Sequence, residues 1–474
     1  MSIQSVGKIP GKLKFSWGIG ALGVAILMNS GSFLVLTYLI TVVKLEPGLA
    51  GTIMLVAKIF DAISDPIMGQ LSDRSNFKSG RRRPYLFIGS FVSVIAFLLL
   101  FTMPVLEAQW MKAAYAFGVL MLYTVGYTIF NVPYMAMSAE MTDDYEERTS
   151  LHGTRVMFVS IGSSIVGAGA PIFLEYMGAG WNAYATIGAV LGALIFAAMI
   201  TCWMGTGDAR TIEATQSGHT FAEQLSLLGQ NRHFMIIALT KLLQLMAVMS
   251  GAAVSLIFFK SYLELNLAYL AIFGLFGTII TLIAVPLLVR LAKRIGKRNT
   301  YIVSALITIA SYLSWSLLPA GFGAGEAVST WAFMPPDINN GDIWPSLLVR
   351  SALLGIVIGG NVMMAMSMLM DAIEYDALKT GMRREGLYAA FYSFVEKFSS
   401  AFGPFMVGII LQFTGFNKDL ALGAGQSAEA LNGIVIGMAY LPAIFTGLSI
   451  VTLLFYTLGK DELESMRVAP VAAE

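Results

Sequence analysis

Long apolar stretches recur along the whole chain and constrain its fold more than any other feature. An α-helix needs roughly 20 residues to cross a hydrocarbon core of about 30 Å. The stretches of that length begin near Ser16, Gly48, Pro84, Lys112, Ser150, Trp181, Phe234, Leu265, Asn299, Trp344, Gly386 and Ala430. Hydrophobic residues make up 57% of the chain and charged residues only 12%, about half the charged fraction of a soluble domain. The sequence therefore predicts an all-α integral membrane protein with twelve transmembrane helices.

Charge and residue content exclude several classes of function. The formal net charge is only +1, so no overall field attracts nucleic acid. The single cysteine, Cys202, excludes an intrachain disulfide and a thiolate metal cluster. The sequence lacks a His/Glu metal pair, a nucleophile elbow and a phosphate-binding glycine loop. We therefore predict a transporter rather than an enzyme, with no cofactor beyond a coupling ion.

Basic residues predict the orientation, because lysine and arginine resist translocation. They fill alternate loops, at 74–83, 290–298 and 379–384, whereas the segment 319–345 has no lysine or arginine. We expect a multi-pass protein of the cytoplasmic membrane with both termini in the cytoplasm.

An internal repeat relates the two halves at an offset of about 215 to 230 residues. Gly80-Arg81-Arg82-Arg83 parallels Gly296-Lys297-Arg298, and Asn131 in the fourth stretch parallels Asn361 in the tenth. The expected organisation is a six-helix bundle at 1–204, a cytoplasmic loop at 205–232, and a second six-helix bundle at 233–474. This pattern resembles the major facilitator superfamily.

The second apolar stretch contains Lys58, Asp61 and Asp65 before Pro66. Spacings of three and four place the three charges on one helical face. A carboxylate inside a bilayer costs at least about 2.5 kcal/mol, so each acid needs the lysine, a bound cation or a proton. A salt-bridge ladder that only fixes helix packing is the alternative. Pro66 also frees a backbone carbonyl one turn earlier, which with Ser64 supplies oxygens suited to Na⁺, although a proton would serve equally.

The stretches Val56–Gly69 and Asp73–Pro84, with the fourth-span motif Gly126–Tyr134, resemble the glycoside-pentoside-hexuronide:cation symporters. Asp371–Tyr375 and Glu396-Lys397 also fit that family. The resemblance implies that Asp61, Asp65, Ser64 and Thr128 bind the coupling cation. It also implies a sugar-type substrate held between the two halves. The predicted substrate-binding residues are Tyr127, Asn131, Tyr134, Arg155, Asn361, Tyr392 and Lys397.

The chain departs from the family pattern at two positions where sugar-binding carboxylates are expected. Ala25 and Asn131 occupy them, and an amide accepts hydrogen bonds less strongly than a carboxylate. With Arg155 and Lys397 present, a sugar acid or sulfonated sugar gains plausibility as the substrate. A lysolipid or other amphipathic substrate is the second candidate, because related eukaryotic proteins that keep the second-span acids move lysolipids.

The remaining charges are predicted to couple the two sites or to gate the cytoplasmic side, with a purely topological role as the alternative for the basic ones. They are Lys58, Asp73, Arg74, Arg81, Glu140, Asp144, Arg294, Glu374 and Glu396. The expected partners are a small-molecule substrate and membrane lipid, and we expect a monomer.

Overall fold

The structure is a computed structural model that describes residues 9–75, 77, 80–142, 145–207, 209, 229, 231–323, 343–380, 385–459, 463 and 465–466. Nearly all of this part of the chain is helical. The α-helices are α1 (Gly11–Phe33), α2 (Val35–Thr41), α3 (Pro47–Arg74), α4 (Arg83–Phe101), α5 (Gln109–Met141), α6 (Tyr145–Ser164), α7 (Ala170–Met177), α8 (Trp181–Gly205), α9 (Arg232–Ile257), α10 (Leu267–Ile295), α11 (Lys297–Ser314), α12 (Ile343–Thr380), α13 (Glu385–Phe413), α14 (Ala428–Val435) and α15 (Leu441–Leu454). Short π-helical segments at Ile165–Gly169, Phe258–Tyr262 and Ile436–Tyr440 join or extend neighbouring helices, and a 3₁₀ turn at Trp315–Leu317 follows α11.

Twelve helical segments in the described residues are long and apolar enough to cross a membrane. They are Gly11–Phe33, Pro47–Arg74, Arg83–Phe101, Gln109–Ser138, Ser150–Met177, Trp181–Gly205, Arg232–Tyr262, Leu267–Ile295, Lys297–Leu317, Ile343–Thr380, Phe391–Phe413 and Ala428–Leu454. Each begins within five residues of the start expected from the sequence. The prediction of an all-α protein with twelve transmembrane helices is confirmed.

The first compact unit contains Met1–Gln216 together with Leu411–Gln426. Within it, α5 packs against both α3 and α4. The approach of α4 is close at Gly126, where a Cβ would lie 2.6 Å from the backbone nitrogen of Ser93. Small residues at such crossings let membrane helices pack backbone to backbone. The crossing fixes the part of α5 that carries Thr128, two residues further on.

The second compact unit contains Ser217–Ile410 and Ser427–Glu474. Its helix pair α10 and α12 crosses closely where Gly355 meets the carbonyl of Gly277. The hydroxyl of Thr281 lies 2.9 Å from the Gly277 carbonyl oxygen and 2.7 Å from that of Gly355. This hydroxyl therefore ties the two helices together.

The repeat found in the sequence recurs as matching local structure in each unit. Gly80 and Gly296 both have positive φ, 99° and 84°, a conformation that glycine adopts without steric cost. Arg83 then donates to the backbone carbonyl of Trp203, near the end of α8, over 3.1 Å. In the second unit, Arg298, which aligns with Arg82, donates to the carbonyl of Leu454 at the end of α15 over 2.9 Å. In each unit, one arginine thus joins the start of its third span to the end of its sixth.

The segment Leu411–Gln426 connects α13 to α14 and packs with the first unit. Lys418 Nζ lies 2.7 Å from Glu46 Oε1, and Lys44 Nζ donates to the carbonyl of Leu420 over 2.9 Å. Burial lowers the pKa of Lys44, although the charge of Asp419 opposes that change. These contacts hold the short connection that leads into α3.

Candidate cation-binding site

Helix α3 carries the acidic face predicted from the sequence. It begins at Pro47, whose missing N–H is tolerated in the first helical turn, and it continues through Pro66 to Arg74. Asp61 is fully buried at 0% exposure, whereas Lys58 and Asp65 are half-buried. The helix therefore holds two acids and one base at membrane depth.

Lys58 pairs with the buried acid. Its Nζ lies 3.3 Å from Asp61 Oδ2 and 5.3 Å from the centre of the Tyr127 ring on α5. An ammonium in these positions gains attraction from both the carboxylate and the ring face. The predicted proximity of Lys58 to the acid pair is seen in the structure.

Thr128 on α5 brings the two acids together. Its Oγ1 lies 2.9 Å from Asp61 Oδ1 and 3.1 Å from Asp65 Oδ1. Ser64 Oγ is 3.3 Å from the same Thr128 oxygen and donates to the Asp61 carbonyl over 3.0 Å. Three side-chain oxygens, from Asp61, Asp65 and Ser64, thus lie within 3.3 Å of the Thr128 hydroxyl at the α3–α5 contact.

The formal charge of this oxygen group determines which ion it could bind. With all groups ionised, Lys58 contributes one positive charge and the two aspartates two negative charges, so the group has a net charge of −1. A hydroxyl has one hydrogen, so Thr128 donates to one carboxylate at a time. Carboxylate and hydroxyl oxygens suit a hard cation. One monovalent cation, or one proton on an acid, would neutralise the group.

The predicted substrate residues of the first unit fall into two environments. Tyr127 and Asn131 lie on the α5 face that carries Thr128, and Asn131 Oδ1 is buried without a partner among the described residues. The Arg155 guanidinium, on α6, interacts electrostatically with both Tyr127 and Tyr134. Tyr134 itself is fully buried, stacked on Trp17 with ring centres 4.9 Å apart. The placement of Tyr134 gives no support to the prediction that its ring contacts substrate, because the ring is enclosed in the helix core.

The predicted substrate residues of the second unit lie on α12 and α13. Asn361 is 2% exposed and donates from Nδ2 to Thr308 Oγ1 over 3.1 Å, so part of its amide holds α12 to α11. Lys397 on α13 is 8% exposed. Tyr392, one turn before it, is half-buried and donates a hydrogen bond to Glu396.

The predicted gating residues of the first unit form an ion network at the start of α4. Glu140 pairs with Arg81, and its Oε1 lies 2.9 Å from Arg82 Nη2, which is also 3.0 Å from Asp73 Oδ1. Burial lowers the pKa of Arg82, and the charges of Glu140 and Asp73 oppose that change. Arg74 is exposed at the end of α3. The network links α3, α4 and α5 within this unit.

The other predicted gating residues are more dispersed. Arg294 is exposed at the end of α10, and Glu374 is half-buried near the end of α12. Near them, Lys297 Nζ lies 2.6 Å from Asp371 Oδ2. Asp144 lies outside the described residues.

A lysine inside the seventh span is a further functional candidate. Lys241 on α9 is 1% exposed and interacts electrostatically with Glu396 on α13. A lysine inside an apolar span indicates that an acidic partner lies nearby. The sequence could not show that this partner is Glu396, because that depends on how α9 packs against α13.

Comparison with known proteins places the chain in a family. The model of the family described as MFS/sugar transport protein matches residues 16–460. An uncharacterized symporter of Bacillus subtilis (strain 168), YnaJ, is 27% identical, and the alignment covers 98% of this chain and 96% of the relative. The isoprimeverose transporter of Lactiplantibacillus pentosus is also 27% identical, with 97% and 91% covered.

Solved structures of transporters have the same fold as this chain. The crystal structure of the nucleoside transporter NupG has a TM-score of 0.61 and 15% identity, and the match covers 97% of this chain and 100% of NupG. The predicted resemblance to major facilitator symporters is thus confirmed, and the protein is a multi-pass membrane transporter rather than an enzyme. The chain belongs to the MFS/sugar transport protein family.

Proposed function

We propose that the protein is a cation-coupled symporter that carries a glycoside or related saccharide across the cytoplasmic membrane. The coupling ion is Na⁺ or H⁺, bound at Asp61 and Asp65 with Ser64 and Thr128 as neutral oxygen ligands. Both termini lie in the cytoplasm, and the monomer is the working unit.

One observation carries the proposal. Two carboxylates on α3 converge on a single hydroxyl of α5, with 2.9 and 3.1 Å between the oxygens, at membrane depth. Lys58 pairs with Asp61 at 3.3 Å, and the three side chains Lys58, Asp61 and Asp65 sum to a formal charge of −1 when all are ionised. A cation or a proton balances that charge.

The substrate class follows from the relatives and from the polar groups near the site. The relatives include a symporter and an isoprimeverose transporter. Asn131 presents a buried carbonyl oxygen without a partner among the described residues, and a sugar hydroxyl is a suitable donor for it. Tyr127, one helical turn away on the same face, offers a ring edge and a hydroxyl.

Coupling arises because cation binding changes the charge of α3. With the site empty, a net negative group at membrane depth disfavours the conformational change that would carry it through a closed state. Cation binding neutralises the group, raises affinity for the substrate, and permits alternation between states open to either side.

The test measures binding and transport in purified protein reconstituted into liposomes. A panel of glycosides is screened by calorimetry in Na⁺, in Li⁺ and at several pH values without either ion. We expect at least one glycoside to bind more tightly in the presence of the coupling ion, and an imposed gradient of that ion to drive its accumulation.

Asp61→Asn and Asp65→Asn should each abolish gradient-driven accumulation, whereas Glu429→Gln, which removes an exposed carboxylate at the start of α14, should not. Normal accumulation in both aspartate variants would show that the coupling site lies elsewhere.

A further inference from the structure

A second polar group lies in the other unit and takes no part in the proposed cation site. It consists of Lys241 on α9 with Glu396 and Tyr392 on α13, and we call it the Glu396 cluster. Lys241 and Glu396 interact electrostatically, and the Tyr392 hydroxyl donates to Glu396. The cluster therefore pairs one carboxylate with one ammonium and one phenol.

The packing of α9 on α13 accounts for the cluster. Ser399 Oγ donates to the carbonyl of Leu242 over 3.2 Å, and one turn later Gly403 lies so close to Ser250 that a Cβ would be 2.6 Å from its backbone nitrogen. The two helices thus run parallel and in contact. This contact sets Lys241, just before Leu242, beside the turn of α13 that precedes Ser399 and contains Glu396.

The two charges of the pair differ in accessibility. Lys241 is 1% exposed, whereas Glu396 is exposed. Glu396 lies inside the span Phe391–Phe413, five residues after its start, about 7.5 Å along a helix. A charged side chain at such depth faces a water-filled cavity rather than lipid. Small solutes can therefore reach the carboxylate but not the ammonium.

We propose that Glu396 is a substrate-binding residue that accepts hydrogen bonds from adjacent hydroxyls of a neutral glycoside, and that Lys241 is the positioning residue that fixes this carboxylate. The proposal rests on the proposed sugar symport and names the substrate class within it. Carboxylates make strong, charge-assisted hydrogen bonds to hydroxyl pairs. Glu396 would supply a charged acceptor, which accepts more strongly than an amide oxygen such as that of Asn131.

The same geometry disfavours a sugar acid at this position. A carboxylate or sulfonate group on the substrate would meet the negative charge of Glu396. Lys241, the ammonium that interacts with Glu396, is enclosed by protein and cannot offset that repulsion by contacting the substrate. Gln244, one turn further on the same face of α9, is 3% exposed, and its Oε1 has no partner among the described residues, so it extends the polar surface without adding charge.

The experiment uses the full-length protein in detergent or liposomes and measures two affinities by calorimetry. One is the affinity for a neutral methyl glycoside at saturating coupling ion, and the other is the affinity for the ion alone. We expect Glu396→Gln to weaken glycoside binding by about 10- to 100-fold, the range for losing hydrogen bonds to a charged group. Ion affinity should change by less than about threefold, because the ion site lies on α3 and α5. Glu396→Asp should recover part of the loss.

Deoxy sugars distinguish a direct contact between Glu396 and a substrate hydroxyl from a general structural effect of the Glu396 substitution. Removing the recognised hydroxyl should weaken binding to the natural protein but have little further effect on Glu396→Gln, because the partner is already missing. Lys241→Met should reduce glycoside affinity, and removing the recognised hydroxyl should then have little further effect, as in Glu396→Gln. Lys241→Arg should restore the glycoside affinity. A glucuronide should bind Glu396→Gln at least as well as it binds the natural protein.

Unchanged glycoside affinity in Glu396→Gln, or full additivity of the variant and the deoxy sugar, would overturn the inference while leaving cation-coupled symport intact. If no glycoside binds the natural protein with any ion, the proposed function and this inference both fail.

Discussion

Helices α3 and α10 occupy equivalent places in the two halves of the repeat, yet only one of them is charged at its centre. Each contains a proline nineteen residues after its first residue, Pro66 in α3 and Pro286 in α10. Aligning the prolines sets Thr281 opposite Asp61. In α3 the buried acid meets a threonine of α5, and in α10 the threonine hydroxyl meets the Gly355 carbonyl of α12.

The difference shows how one helix crossing can serve two purposes. In the second unit, the hydroxyl–carbonyl contacts of Thr281 are electrically neutral, so they need no ion and stabilise the packing of α10 on α12. The outer side of α10 is apolar and accessible, with Leu282 72% and Ile283 61% exposed, as suits a helix in contact with lipid. In the first unit, the corresponding crossing holds two acids, Asp61 and Asp65, whose carboxylates both lie within 3.1 Å of the Thr128 hydroxyl.

The largest effect is expected from giving α3 the residue that α10 has. Asp61→Thr keeps a hydroxyl near Thr128 but removes the buried charge, so cation affinity should fall by about 100-fold or more. Ion titration by calorimetry measures the change. Retained ion affinity would mean that Asp65 alone forms the site. The difference between Asp61 in α3 and Thr281 in α10 would then not explain ion binding.

The reverse change should damage folding rather than create a site. Thr281→Asp adds a carboxylate at the α10–α12 crossing without the lysine and second hydroxyl that α3 and α5 provide, at an expected cost of about 2.5–3.5 kcal/mol. Thermal unfolding of the purified protein should show a lower Tm and the expression yield should fall. A normal Tm combined with new ion binding would contradict this expectation.

A smaller effect is expected from the hydroxyl shared by the two aspartates. Thr128→Ala removes an oxygen within 3.1 Å of both carboxylates, and cation affinity should weaken by roughly tenfold or somewhat more. Thr128→Ser is the matched control, because it keeps the oxygen and should bind the ion nearly as well. Equal losses in both variants would indicate a packing effect of the methyl group.

The smallest effect is expected from the neutral crossing. Thr281→Val preserves shape but removes the hydroxyl, which should lower the free energy of unfolding by about 0.5–1.5 kcal/mol. Ion and substrate affinities should remain within about twofold of the natural protein. A marked loss of ion affinity would show that the two crossings are energetically coupled.

The sequence allowed the spans and the acidic face of α3 to be predicted because both depend on local spacing. A run of about 20 apolar residues forms a helix in a bilayer wherever it packs, since backbone groups have no other partners there. Lys58, Asp61 and Asp65 share a face by helical geometry alone. The distances from Thr128 to both acids, in contrast, depend on the close approach of α4 and α5 at Gly126.

Other residues could not be placed without the packing. Tyr134 stays a predicted substrate residue, and only the structure shows that its ring stacks on that of Trp17. The partner of Glu396 could not be chosen from its helix, since Lys241 is on a span more than 150 residues earlier. Side chains on one helix face are fixed by sequence, whereas their neighbours on other helices are fixed by crossing angles and small-residue contacts.

By itself, the sequence determined that this chain spans a membrane with twelve helices in a two-fold repeat and that α3 carries two acids and a lysine on one face. Hydrophobic length and helical period fix these features locally. Only the tertiary structure decided that the acids converge on Thr128, that the equivalent crossing in the second unit is neutral, and that Lys241 lies beside Glu396. Each of these three features depends on which helices contact each other and at which residues. Many contacts between residues far apart in the sequence act together to determine that packing.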